Sequence, residues 1–251
     1  MSGVALVTGG AKRIGRAIAL RLAQEGYAVA VHCRRSRSDA QDVKALIEGR
    51  GGRAHTIEAD LADAEAVNGL IEKAGAALGP LTLLVNNASL FEPDEVQNLD
   101  ADLWERHFSV NLRAPAFLTR DFAQQLPDGR DGAIVNIIDQ RVWKLNPQFF
   151  SYTLSKAALL TATRTMAQAL APRIRVNAVG PGPTLTSSRQ SEEDFSRQGE
   201  ALPLRRHPTP EDIAEAVVFL AKARSVTGQM LAVDGGQHLA WQTPDVLAVR
   251  E

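Results

Sequence analysis

Cysteine is nearly absent: Cys33 is the only one among 251 residues. That excludes an internal disulfide and a cysteine-built metal cluster, and it suits a reducing compartment. Net charge is nearly absent too. A formal charge of -1 and a pI near 6.5 give nucleic acid or an anionic membrane no electrostatic footprint. No apolar run approaches the roughly 20 residues that a membrane span needs. Strand-like Val4-Ala5-Leu6-Val7 begins so early that no signal peptide is expected ahead of it. No internal repeat, low-complexity tract or linker-like shift in composition divides the chain. The expectation is one cytoplasmic domain over residues 1–251, with no metal, no nucleic-acid partner and no membrane.

What is present is a full complement of core residues, with 45 % apolar against 23 % charged. Short apolar runs at 4–7, 28–31, 53–59, 81–85, 133–138, 174–179 and 230–233 are separated by amphipathic stretches at 13–25, 39–49, 63–78, 100–125, 150–171 and 210–223. Most of the runs are apolar throughout rather than alternating, as strands buried on both faces of a parallel sheet are. Thr209 as N-cap, Pro210 at the first helical position and the acids Glu211 and Asp212 punctuate the last helix. Alternating strand and helix predicts right-handed βαβ units in an α/β fold, a doubly wound, Rossmann-type parallel sheet of about seven strands. In such a sheet a ligand lies beyond the carboxyl ends of the strands, so the residues following each strand carry the information.

After the first strand comes Thr8-Gly9-Gly10-Ala11-Lys12-Arg13-Ile14-Gly15. The usual G-x-G-x-x-G is missing, yet a glycine turn opening a helix still brings backbone N–H groups close to a pyrophosphate. Lys12, Arg13 and Arg16 crowd the first helical turn, where cations oppose the macrodipole at roughly 0.3–1 kcal/mol each. A bound polyanion would offset that cost; a solvated basic turn is the alternative. After the second strand, His32-Cys33-Arg34-Arg35-Ser36-Arg37 precedes the first acid, Asp39. Guanidinium groups there suit the 2′-phosphate of NADP(H), and an acid suited to the ribose of NAD is lacking. Arg35 and Ser36 are the expected contacts, against an exposed Arg-rich loop with no ligand. The chain holds two tyrosines, so Tyr152 and Lys156 at i, i+4 on one helix face are a useful signal. A nearby ammonium is expected to lower the phenol pKa toward useful acid–base chemistry.

Together Thr8-Gly9…Gly15, Asp60-Leu61, Asn86-Asn87-Ala88, Asn111, Tyr152-x-x-x-Lys156, Pro181-Gly182 and Val233-Asp234-Gly235-Gly236 resemble the short-chain dehydrogenase/reductase family over essentially the whole chain. The resemblance implies that Tyr152 is the acid–base residue. Lys156 would bind the nicotinamide ribose, and Asn111 would hold a water in a proton relay. It places the cofactor against Gly9, Arg13, Ile14 and Gly15, against Asp60, Leu61, Asn87, Ala88 and Ser89, and against Pro181, Gly182 and Thr184. Two departures matter. Arg13 stands where the family has a small residue, and Asp139 stands where it has a serine that donates to a substrate carbonyl. An ionised carboxylate cannot donate. With Asn86-Asn87-Ala88-Ser89-x-Phe91, these changes look like the pteridine reductase branch. That likeness implies a pterin held by Arg13, Ser89 and Phe91 and protonated through Asp139 and Tyr152.

The chemistry agrees with that implication. A flat heteroaromatic substrate wants the aromatic face of Phe91, and a pterin's amino and ring-nitrogen edge wants a carboxylate such as Asp139. Packing for Phe91 and a structural cap for Asp139 are the alternatives. The polar stretch around 185–207 has no clear periodicity and reads as a substrate lid. In the tail, which includes His238, Trp241 is open between subunit contact and local packing. The small-residue face Ser155, Ala158, Ala162 allows close helix packing, and the resemblance implies a homotetramer. The leading expectation is NADPH-dependent reduction of a dihydropterin C=N bond. A carbonyl or 3-oxoacyl reductase of the same fold comes second, and a non-catalytic NADP(H)-sensing protein third.

Overall fold

Each strand interior alternates between two apolar layers, so one sheet sorts the whole core. Ala5, Val7, Val29 and Val31 face one layer with Ile18, Leu22 and Val217. Leu6, Ala30 and Leu84 face the other with Leu70, Leu118 and Phe122. The computed structural model describes residues 3–186 and 189–243. The seven parallel strands are β1 Val4–Val7, β2 Ala28–Cys33, β3 Ala54–Glu58, β4 Leu81–Asn86, β5 Gly132–Ile137, β6 Ile174–Pro181 and β7 Met230–Val233. Their order is β3-β2-β1-β4-β5-β6-β7. The chain winds outward from β1 in one direction and returns to β4 on its other side. The crevice at the carboxyl ends of β1 and β4 is therefore the topological switch point.

The helices are α1 Arg13–Gln24, α2 Arg37–Glu48, α3 Ala64–Val67, α4 Leu70–Leu78, α5 Ala101–Phe108, α6 Ala114–Gln125, α7 Phe150–Leu170, α8 Glu192–Glu200 and α9 Pro210–Lys222. Three stretches differ from the sequence expectation. The helix expected over 63–78 is two, because Gly69 at φ 86 turns the chain between α3 and α4. The helix expected over 100–125 carries a π segment, Ser109–Arg113, just before Pro115. Proline has no N–H to continue the α ladder, and the wider turn takes up the mismatch. The segment around 185–207 is not aperiodic loop: it contains α8. Ser191 accepts from the Asp194 N–H at 3.0 Å, and three acids fill the first turn. Its polarity hid it from an apolar-period search. Helix α9 starts as its sequence predicts, with Thr209 and Asp212 exchanging hydrogen bonds of 2.8 and 3.1 Å. Among the described residues no helix is long and apolar enough to cross a membrane.

Candidate active site

The crevice is stitched at its floor by Thr8 and Asn87. Thr8 Oγ1 accepts from the backbone N–H groups of Asn87 and Ala88 at 2.9 and 3.0 Å, and Asn87 Nδ2 donates to Thr8 O at 2.8 Å. Above this lies a cleft of about 550 Å³. Its walls include Gly9, Arg13, Ile14 and Gly15 from the turn, Asp60 and Leu61 after β3, and Asn87, Ala88, Ser89 and Phe91 after β4. Glycine is required at Gly15, where an added Cβ would sit 2.1 Å from Gly9 O and 2.5 Å from Asn87 Nδ2. Arg13 adopts φ 51, a left-handed conformation that costs a side-chain-bearing residue about 1–2 kcal/mol. Its guanidinium crosses the cleft to Leu185 O and Thr186 O at 3.2 and 3.1 Å. The turn is thereby tied to the segment that follows β6.

Beside β2 the basic run divides between the cleft and the start of the next helix. Arg34 lines the cleft, whereas Arg35 and Ser36 do not. Residues two apart leave a strand on the same side, so Arg34 follows His32 into the cleft. Ser36 instead opens α2, without a side-chain cap bond. Asp39 is taken by Lys12 at 3.0 Å. His32, which the sequence reading passed over, holds the turn: Gly9 N–H donates to Nδ1 and Nε2 donates to Ala59 O, both at 3.0 Å. That pattern requires the neutral ring, and burial lowers its pKa accordingly. After β6, Gly182 N–H donates to Val233 O at 3.0 Å and Thr184 Oγ1 to Gly182 O at 2.9 Å. Pro181 ends the strand.

Behind Phe91 of the cleft wall, whose ring centre is 4.6 Å from that of Tyr152, Tyr152 Oη donates to Asp139 Oδ2 at 2.8 Å. Asp139 Oδ1 accepts from the Arg141 N–H, also at 2.8 Å. Asp139 is therefore both the cap of the short turn Gln140–Val142 and the partner of the phenol. The expected lowering of the Tyr152 pKa is not what the structure gives. Burial and then the Asp139 carboxylate push it well above its ordinary value. Burial also raises Asp139, against the opposing pull of the Arg141 N–H and Tyr152 O–H bonds. Lys156 Nζ donates to Ile137 O at 2.8 Å and stands 5.8 Å from the Tyr152 ring centre. Burial drops its own pKa to about 8. The tyrosine is thus a held acid rather than a poised phenolate.

Asn111 lies in the π segment with its amide fully engaged. It accepts from Leu90 N–H at 2.9 Å and Ser89 Oγ at 3.2 Å, and donates to Leu90 O and Ser155 Oγ at 3.0 Å. It braces the loop that presents Ser89 and Phe91. Phe91 meets Tyr152 edge-on at 4.6 Å and stacks on Phe149 at 4.2 Å, 9° from parallel. Phe149 precedes α7 at φ 58, so that helix has no N-cap of its own. Asp94 supplies one from a distance, accepting from the Ser151 N–H at 3.1 Å and from its hydroxyl. His107 closes the buried chain, 2.6 Å from Ser151 Oγ. No local sequence signal marked Asp94, His107 or Phe149. His238 lies against Asp234 at 2.7 Å and against the Trp143 ring, which is local packing. Trp241 is 68 % exposed, and the tail from 244 lies outside the described residues.

Residues 9–238 match the family model described as Enoyl-(Acyl carrier protein) reductase. The chain belongs to the short-chain dehydrogenase/reductase family. Within that family its relatives point two ways. The 3-oxoacyl-[acyl-carrier-protein] reductase FabG of Staphylococcus epidermidis is 34 % identical, over 95 % of this chain and 100 % of that protein. Among solved structures, FolM Alternative dihydrofolate reductase 1 from Brucella suis, in complex with NADP, superposes with a TM-score of 0.94 at 56 % identity. That match covers 97 % of this chain and 98 % of the other. A short chain dehydrogenase from Burkholderia cenocepacia, also with NADP, gives 0.89 at 36 % identity, over 96 % and 99 %.

Proposed function

We propose that this short-chain dehydrogenase/reductase is an NADPH-dependent reductase of a pterin-type C=N bond, taking a dihydropterin to a tetrahydropterin. The observation that carries the reading is the 2.8 Å bond between Tyr152 and Asp139. It puts a carboxyl group where a carbonyl reductase of the family needs a hydroxyl donor. The 56 % identity to a Brucella protein named an alternative dihydrofolate reductase supports the same reading.

The cleft fits the dinucleotide by a test of its own. At Gly15 even a methyl group would strike the backbone of Gly9, so the missing side chain lets α1 start tight against the Gly9 turn, whose residues line the cleft where a pyrophosphate would meet the helix N-terminus. Arg34, on the cleft wall, would meet a 2′-phosphate, and Lys156 would bind the nicotinamide ribose. When bound, NADPH supplies hydride to the imine carbon. The protein must then deliver one proton to the nitrogen. Tyr152 keeps its proton at neutral pH, because burial and Asp139 both disfavour phenolate. As negative charge grows on the substrate nitrogen, the phenol proton moves to it. Lys156 is a cation below about pH 8, and it offsets the charge left on the phenol. Phe91 offers its face to the flat ring, and Asp139 accepts from the amino and ring-nitrogen edge. Leu185 and Thr186, bound by Arg13, begin a lid over this end.

The FabG resemblance favours a second reading, reduction of a 3-oxoacyl thioester. One assay separates the two: NADPH oxidation followed with a dihydropterin, with acetoacetyl thioester, and with neither. Turnover of the dihydropterin at least about tenfold above the thioester is expected. Brisk thioester reduction with no pterin turnover would transfer the protein to the second reading. Tight NADPH binding with neither substrate consumed would make it a cofactor sensor.

A further inference from the structure

His207 stands between two elements, and neither of its partners has a proton to give. Its Nδ1 lies 2.8 Å from Pro183 O, and its Nε2 lies 2.8 Å from Phe195 O. Carbonyl oxygens only accept, so both ring nitrogens must donate. Only the imidazolium does that; a neutral ring would set a lone pair against one of the two oxygens. The setting suits a cation. The Phe195 ring stacks on the imidazole at 3.7 Å, 3° from parallel, and an aromatic face attracts positive charge. At Gly199, inside α8, an added Cβ would stand 2.4 Å from Nε2. Glycine is unfavourable inside a helix, and here it lets the imidazole come this close to α8.

The charges around the ring have other work. Arg206 beside it in the chain, Asp212 and Glu215 of α9, and Asp234 after β7 share a cavity of about 350 Å³ with it. Asp212 accepts from Thr209, Glu215 from Arg21 and Asp234 from His238. The charged side chains of α8 are all exposed, and Pro181–Thr184 carries none. The two carbonyls therefore hold the proton, and they belong to parts that meet over the cleft. Pro183 lies in the stretch Pro181–Thr184 expected against the cofactor, and Arg13 holds Leu185 and Thr186 just beyond it. Phe195 belongs to α8. We propose that His207 is a proton-dependent clasp: its imidazolium ties α8 to the stretch after β6 and slows the release of NADPH, and loss of one proton to water undoes one of the two bonds. Imidazole is the side chain that makes this change near neutral pH. The inference needs the cofactor but not the pterin reading.

The test is the rate of NADPH release, followed by fluorescence in stopped flow after a chase with excess NADP⁺, over a pH series. Wild type is compared with His207→Gln and Phe195→Leu, after a fold check by circular dichroism. Wild-type release is expected to quicken about tenfold as pH rises through neutrality, the size of one charge-assisted bond. His207→Gln should release NADPH at the fast rate throughout, because an amide keeps a donor but no charge. Comparison with it cancels other titrations in the cleft, such as that of Lys156 at about 8. Phe195→Leu keeps the carbonyl and loses the ring, so its step should move to lower pH. Imidazole ¹⁵N NMR of the wild type with NADP⁺ bound needs no variant, and both nitrogens of His207 are expected to carry protons at pH 6. A neutral His207 at pH 6, or the same pH profile in wild type and His207→Gln, overturns the inference and leaves the pterin reading intact.

Discussion

The two ends of the cleft are built by different means. At the cofactor end the parts are mostly backbone and the short side chains that bind it: the Gly9 turn, the strand ends stitched by Thr8 and Asn87, and the close packing of Gly15 on Gly9 O. All of them come from the β1 to β4 half of the sheet. At the end proposed for the substrate the parts are side chains from separate segments. Phe91 follows β4, Asp139 follows β5, and Tyr152 belongs to α7. They meet because Asp94 caps α7 from the Phe91 loop and Asn111 braces that loop from the π segment. A backbone-built cradle accepts many sequences and fixes a cofactor. A side-chain-built wall changes with single substitutions and fixes the chemistry. Substitutions at the substrate end should therefore change rate, and those at the cofactor end should change cofactor affinity.

The largest break is expected from Tyr152→Phe. It removes the proton and leaves the ring, so turnover should fall about 10²–10⁴-fold, the usual worth of a general acid. The NADPH dissociation constant should hardly move. Stopped-flow kinetics under conditions where chemistry limits would check this. A variant retaining more than half the wild-type rate would put the acid elsewhere.

Arg34→Ala tests the other end and should act with the opposite signature. Loss of one charged contact to the 2′-phosphate should weaken NADPH by about tenfold while sparing NADH. Arg35→Ala, one residue along and off the cleft wall, should have a smaller effect. Titration of both cofactors against both variants decides it, and a larger loss at Arg35 would reverse the assignment.

The smallest expected effect is on stability, and it has a sign in pH. Burial lowers Lys156 from 10.5 to about 8. Between those values the unfolded chain binds the extra proton, so the contribution of this site to stability rises as pH climbs from about 8 toward 10.5. Below pH 8 both states are protonated, and the cost of the buried charge is fully present. Lys156→Met should thus gain more Tm over wild type at pH 7 than at pH 10. Equal differences at the two pH values would show that the folded-state pKa is not depressed.

This contrast also explains what could be read in the sequence. The sheet, the turn at Gly9–Gly15 and the pairing of Tyr152 with Lys156 depend on neighbours along the chain, and local pattern exposed them. That Arg34 lines the cleft depends on which way the chain leaves β2, one residue's difference in phase. The direction of the Tyr152 pKa depends on burial and on Asp139, and neither is visible from an i, i+4 spacing. Phe149, Asp94 and His207 acquire meaning only from contacts across the fold. Helix α8 was missed for a different reason: its cap at Ser191 was legible, but its face is too polar for an apolar search.

The central claim is that the carboxyl–phenol pair selects imine over ketone chemistry, and Asp139→Ser tests it most directly. The measurement is kcat/KM for a dihydropterin and for acetoacetyl thioester, each with NADPH, in wild type and variant. The account predicts that pterin efficiency falls at least about tenfold, as substrate binding and proton delivery lose the carboxyl. It predicts that thioester reduction holds or rises, since the new hydroxyl can donate to a carbonyl oxygen. Pterin kinetics unchanged by the substitution would contradict it.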